Sequence, residues 1–504
     1  MILDLDTLND GDQLDYDICV VGSGPAAFSL ALQFALQNPG GSGRGMRVAM
    51  LESSPGGGFD VQDLYEGENA GLLAGRTSWP TDYLTQGRFR SYGGTSNHWG
   101  GWSWPLEKLD LEARPIRPGT RWPIEYGDLL HYYKKAQRDI MQLDAFAYDD
   151  PQYWIDETPN PKLAVMPLPP GSPLRTRVLQ FNAIAFENEY GSVIENSAFV
   201  DLYRNANAIG VETEAAGQDR RRVLRLVARG IEDGQPGKTL YFRARYFVVA
   251  AGVVESTRLL LLFGIGDSSG HLGKNFMDHP YLNSSTYRVG TIPAEVRSFY
   301  FGIEEVDASQ RKLRLQSIPA PNGKSTFIAG LVPTDDFIER HEIGGFRVLL
   351  GGVGNQPGTI QTNIEPLPQD GGTITLTDSE PTDLFGQQRV RVDWQLSKLD
   401  RKTGEAMLEA TKEVLSDLGY GSDFVFPTLD DRAWSPGLHP TGTTRMAEER
   451  KDGVVDGKMR VHDSSNLYVA SASTFPSAGY QNPTFTVCAL AVRLADHLKT
   501  EPAD

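Results

Sequence analysis

The hydrophobic pattern begins with residues 16–21 (YDICVV), continuously apolar from Ile18 to Val21 and ending at a glycine. Such a run predicts a strand buried on both faces of a parallel sheet. An apolar helix over residues 26–36 and a second strand over 47–51 follow, making a βαβ unit. Strand patterns recur at 202–211, 223–227 and 240–250, and the last runs into a helix beginning near Val254. From 284 to 393 the pattern changes to alternating segments (STYRVG, RVLLGGVG, GGTITLTD, QRVRVDWQL), which predict an antiparallel sheet. Helices are expected over 122–140, 401–418 and 482–499, and a short strand over 466–469. Residues 61–101 read as a long ordered loop, and the proline cluster within 150–175 as a linker or lid. The expected class is α/β (α+β): a Rossmann-like unit joined to a unit built on an antiparallel sheet.

Composition narrows the partners. The formal net charge of −17 argues against nucleic acid and anionic membrane, and otherwise reads as a soluble surface. Cys19 and Cys488 sit in apolar patterns, so no disulfide is expected. The acidic N-terminal residues contain no apolar core of a signal peptide, and no run approaches membrane-spanning length. A cytoplasmic protein is expected. The 53 glycines favour tight turns and close backbone approach to a bound molecule.

Four segments carry candidate chemistry. Gly22-Ser-Gly24-Pro-Ala-Ala27 follows a strand and opens a helix. Gly22 permits the turn, Gly24 admits a pyrophosphate, and Ala27 lets helix and strand pack closely. Glu52 ends the second strand, where an acid binds a ribose hydroxyl. Alone, this fingerprint also permits a nicotinamide-dependent dehydrogenase or an ordinary βα turn. In the second segment, Gly93, Gly94, Thr95, Ser96, His98 and Trp99 combine flexible backbone, hydroxyls and aromatics suited to a flat ring system. In the third, a strand ends at Ala250, and Ala251 and Gly252 turn into a helix, as the last strand of a nucleotide-binding sheet does. The fourth places His439 before a Gly-Thr turn and Asn482 at the start of the final helix. A neutral imidazole is a base suited to pH 7, and an amide can hold the oxygen it acts on. The distance between them in sequence does not by itself pair them.

In order, VVGSGPAA, GGTSNHWGG, AAGVVESTRLLLL, LGKNFMDHP, HPTGTTRM and NLYVASASTFPSAGYQNPT resemble the glucose-methanol-choline (GMC) oxidoreductases along the whole chain. The resemblance implies an FAD-binding domain assembled from 1–110, 196–283 and 435–504, and a substrate domain from 111–195 and 284–434. It implies His439 as catalytic base and Asn482 as its partner, a His–Asn version similar to pyranose oxidases and cholesterol oxidases. Ala208 matches a strand whose backbone touches adenine, and Ala472, Asn482 and Thr484 join the cofactor contacts. Thr257 and Phe263 depart from the family's proline and serine in the third segment. His98 leaves two alternatives open: a covalent bond to the flavin, as in some sugar-oxidising members, or FAD held without one.

The expected reaction is oxidation of an alcohol on a sugar, glycoside or polyol. Hydride passes to flavin, and electrons then pass to dioxygen or another acceptor. A hydroxynitrile lyase-like enzyme on the same fold and a non-catalytic FAD-binding subunit stand as alternatives.

Overall fold

The computed structural model describes residues 1–37, 45–55, 68–71, 83–116, 119–158, 161–217, 219–282, 285–301, 303–307, 312–315, 317–352, 357–368, 372–378 and 382–502. Most of the Gly-rich insert at 39–45 and much of 61–101 lie outside them.

An eight-stranded sheet forms the first layer. Gln13–Val21 is central, with Val48–Leu51 on one side and Gln235–Val249 on the other, both parallel to it. Ile18, Cys19 and Val20 are fully buried there, as the apolar run requires. Val200–Arg204 and Ile2–Asp4 extend the parallel edge, and Leu467–Val469 pairs in parallel with Gln235–Val249. Arg221–Glu232 and Asn207–Ala215 add an antiparallel flank. The opening helix Pro25–Ala35 packs against the final helix Pro483–Thr500. The single strand expected over 202–211 is two strands in different pairings. The chain breaks at Asn205, whose positive φ of 56° suits an asparagine turn.

A ten-stranded sheet forms the second layer. Its main path runs from Gly421–Val425 through Thr286–Val289, Gly358–Ile364, Phe346–Gly351, Thr326–Pro333 and Leu174–Phe181 to Trp102–Ser103. It is antiparallel along this path, as the alternating pattern predicts. Two of the alternating segments go elsewhere. Thr373–Leu376 pairs antiparallel with Val390–Trp394, which pairs in parallel with Glu68–Gly71, in a separate three-stranded sheet.

Residues 61–101 are not loop throughout, since Glu68–Gly71, Tyr83–Gln86 and Gly94–His98 form short elements. Parts of the stretch 150–175 pack against the core. Helix Pro151–Glu157 buries Trp154 completely, Leu163 and Met166 are buried, and Met166 N donates to Tyr300 Oη at 3.1 Å. No helix among the described residues is long and apolar enough to cross a membrane.

Candidate active site

A cavity of about 510 Å³ lies where the parallel strands end. Three helices direct their N-termini at it. These are Pro25–Ala35, Gly252–Phe263 and Pro483–Thr500, preceded by Gly24, Ala251 and Asn482. None of the three has a side-chain cap hydrogen bond. Their N–H groups and positive dipole ends converge on a single volume, which favours an anion there.

Two glycines in the first turn serve different ends. Gly22 has φ +105°, and a Cβ added to it would stand 2.6 Å from the Ala250 carbonyl oxygen. The close approach of the two strand ends therefore requires glycine. A Cβ on Gly24 would meet nothing within 4 Å, because it would enter the cavity. Gly94 folds over from the second segment, and its own Cβ would lie 3.0 Å from Gly24 Cα.

At the end of the strand Val48–Leu51, Glu52 is buried, accepting from Ser23 Oγ and, at 2.7 Å, from Ser54 N. Arg90 donates through Nη2 to Asn207 Oδ1 at 2.6 Å and through Nε to Ser53 Oγ at 3.0 Å. Arg258 clasps the far rim, donating to Glu255 at 2.8 Å and to Asp383 at 2.6 Å, and so holds Asp383, Phe385 and Gln387 against the cavity. The FAD implied by the resemblance fits these residues. The three helix ends and Gly24 suit a pyrophosphate, Glu52 a ribose, and the half-buried Trp99 and exposed His98 a ring system.

His439 and Asn482 meet at the inner end. His439 Nε2 lies 2.9 Å from Asn482 Nδ2, and both residues line the cavity. Asparagine before a helix normally accepts from the first turn with its side chain. Asn482 instead turns its amide toward His439, and its Oδ1 is buried without a hydrogen-bond partner among the described residues. Leu438, with φ +60°, precedes His439 in a conformation that bulky residues seldom adopt. Asp278 anchors the turn, accepting from His439 N at 2.8 Å and from Tyr83 Oη at 2.6 Å. Burial raises the Asp278 carboxyl to about 7, against the hydrogen bonds that lower it.

Burial, the neighbouring His279 and the Arg347 guanidinium hold the His439 imidazole well below its ordinary 6.5, so it is neutral at pH 7. Arg347 is itself buried. It donates through Nη2 to Tyr281 Oη at 3.0 Å and lies 4.4 Å over the Trp102 ring. Its Nε and Nη1 have no hydrogen-bond partner among the described residues.

The fold brings together on this cavity Gly22, Gly24, Glu52, Gly94, Thr95, Ser96, His98, Trp99, Ala208, Ala251, Gly252, His439, Ala472, Asn482 and Thr484. It does not bring Ala27 or Gly93 there. Ala27 is fully buried within the opening helix, in keeping with a packing role. Gly93 has φ +89° and turns the chain into Gly94–His98. Sequence reasoning missed Arg90, Asn207, Arg258, Asp278, His279 and Arg347. Arg90 opened the glycine-rich string, and Asp278 and His279 stood in LGKNFMDHP, which served only as a family marker. Arg347 lies in an ordinary strand and carried no signal.

Residues 368–491 match the GMC oxidoreductase family model. The fructose dehydrogenase large subunit of Gluconobacter japonicus is 24% identical, over 82% of this chain and 80% of that protein. The C-glycoside 3-oxidase of Arthrobacter globiformis is 24% identical over 96% and 95%. Among solved structures, pyridoxine 4-oxidase from Mesorbium loti superposes with a TM-score of 0.61 at 17% identity, covering 97% of this chain and 100% of that one.

Proposed function

We propose that the chain, which matches the GMC oxidoreductase family model over residues 368–491, is an FAD-dependent enzyme that oxidises an alcohol on a sugar, glycoside or polyol, with His439 as the base. The observation that carries this reading is the His439–Asn482 pair at 2.9 Å, facing the same cavity as the glycine turn. FAD, when bound, supplies the hydride acceptor. Gly22, Gly24, Glu52, Ala208, Ala251, Gly252 and Thr484 would hold its nucleotide, and Gly94, Thr95, Ser96, His98, Trp99 and Ala472 its ring system.

The chain's own residues handle the proton. A substrate hydroxyl entering between His439 and Asn482 donates to His439 Nε2 and accepts from Asn482 Nδ2. The two contacts fix the oxygen and so orient the carbon that bears the departing hydride. Arg347 adds a buried positive charge on the same side, which favours an oxygen that is losing its proton. Trp99 and Trp102, both half-buried on the cavity wall, offer faces for a sugar ring. The relatives named as acting on fructose and on C-glycosides support a carbohydrate substrate. Dioxygen or another acceptor takes the electrons afterwards. We assign the segments 1–110, 196–283 and 435–504 to the cofactor-binding unit and 111–195 and 284–434 to the substrate-binding unit. The free, buried Cys19 and Cys488 support a reducing, cytoplasmic location.

The test is anaerobic mixing of the yellow holoprotein with a panel of sugars, glycosides and polyols. Bleaching by at least one of them is expected, slowed about 100-fold or more in His439→Ala. A flavin that stays oxidised with the whole panel, or a variant that bleaches at the parent rate, overturns the reading.

A further inference from the structure

A neutral imidazole carries one N–H, and the partners of its two nitrogens decide which one bears it. His439 is useful as a base through Nε2 only if the proton sits on Nδ1. The group that decides this is His279, fully buried and fixed from both sides. Its carbonyl accepts from Gly437 N at 2.8 Å, and Met277, two residues before His279, exchanges backbone hydrogen bonds at 2.8 and 3.1 Å with Thr441, two residues after His439.

The assignment starts at an atom with no choice. His279 Nε2 lies 2.9 Å from the Gly479 carbonyl oxygen, and a carbonyl oxygen only accepts. Nε2 of His279 therefore carries the hydrogen. Burial lowers the His279 pKa to about 3, so the ring is neutral and its Nδ1 is a bare lone pair. That lone pair faces His439 Nδ1 at 3.2 Å. Two bare nitrogens at this distance would repel, so the hydrogen between them belongs to His439. With its one hydrogen on Nδ1, His439 presents a lone pair at Nε2, where Asn482 Nδ2 donates at 2.9 Å. The amide orientation is consistent with this tautomer: with Nδ2 toward Nε2, Asn482 donates to the lone pair.

We propose that His279 is a positioning residue that sets the tautomer of His439, so that the catalytic lone pair is already on Nε2 when a substrate hydroxyl arrives. Without it, a ring protonated on Nε2 would offer the hydroxyl a donor and could not take its proton. The bond between the two Nδ1 atoms also persists as Nε2 gains its proton, so no rearrangement of the ring accompanies the step. The Gly479 carbonyl that begins the chain is held by its neighbours. Tyr480 Oη donates to Glu107 at 2.7 Å, and Gln481 Nε2 donates to Asp110 at 3.0 Å. The inference rests on the reading of His439 as the base.

The experiment is ¹⁵N NMR of the holoprotein labelled at histidine, which has eight such residues. His439 is assigned by the signals lost in His439→Gln. The expected result is a proton-bearing Nδ1 and a proton-free Nε2 on His439. In His279→Leu the ring should lose this preference, and anaerobic flavin reduction should slow by about 100-fold. In His279→Asn the amide oxygen takes the place of Nδ1 as acceptor, and both the tautomer and most of the rate should return. A proton on Nε2 in the parent protein overturns the proposal, and so does an unchanged His439 tautomer in folded His279→Leu. If the leucine variant does not fold, the parent spectrum and the asparagine variant decide. His439→Gln that bleaches at the parent rate would instead remove His439 as the base, while the spectrum separately reports whether His279 sets its tautomer.

Discussion

Asn482 stands at the start of the final helix, yet its amide nitrogen lies 2.9 Å from His439 Nε2 rather than its side chain capping that helix. A residue well suited to stabilise a helix end is instead spent on orienting an imidazole. The contact is to an uncharged amide, and that matters for the pH at which the imidazole is available.

Asn482→Asp replaces the amide with a carboxylate beside His439 and should raise the histidine's pKa. The base must be neutral, so the reduction rate rises with pH through that pKa. In the parent this limb lies well below 6.5, because burial, His279 and Arg347 all disfavour the cation. The other groups facing the ring are Tyr281, with ring centres 6.2 Å apart, and Asp278, which accepts from the His439 backbone. In the variant the limb should move to higher pH, with a loss of about 10- to 100-fold at neutral pH that alkaline conditions relieve. Stopped-flow bleaching across pH checks this, and a limb that does not move would contradict it.

Asp278 predicts a stability effect. Its folded pKa of about 7 lies above the ordinary 3.8, so the folded state favours the protonated form. The penalty of burying the carboxyl is absent below pH 3.8, grows between 3.8 and about 7, and is constant above. The shift corresponds to about 4 kcal/mol at most. Asp278→Asn keeps an acceptor for His439 N and does not titrate. Its stability relative to the parent should therefore improve as pH rises across that window, as read by urea unfolding. A difference independent of pH would count against the buried acid.

Gly22 and Gly24 should fail differently. Gly22→Ala meets the Ala250 carbonyl at 2.6 Å with φ +105°, so it should lower the melting temperature of the apoprotein, with strain of about 1–3 kcal/mol. Gly24→Ala, with φ −74° and open space at its Cβ, should leave the apoprotein's melting temperature unchanged and weaken FAD retention. Thermal melts of the apoproteins and FAD titrations separate the two, and equal melting temperatures for the two variants would contradict the geometry.

His98 faces the cavity, its ring 4.2 Å from that of Phe89. Acid precipitation of the holoprotein is expected to leave the yellow colour in the pellet, and His98→Ala to release it. Free flavin in the supernatant of the parent would exclude a covalent bond.

The chain by itself determined the features that rest on neighbours in sequence. The apolar run ending at Gly22, the helix opening at Pro25 and the alternating strands after residue 284 follow from period and turn chemistry, which act over a few residues. His439 and Asn482 were legible as candidates through the resemblance of their segments to a family. Only the tertiary structure decided that they touch, because a hydrogen bond between residues 43 apart exists only where helix and loop are packed to meet. The same holds for His279, 160 residues from His439. It holds too for Arg347, an arginine in an apolar strand that only burial beside the two histidines makes informative. Protonation on one imidazole nitrogen rather than the other depends on which atoms stand about 3 Å away, and no local pattern encodes that.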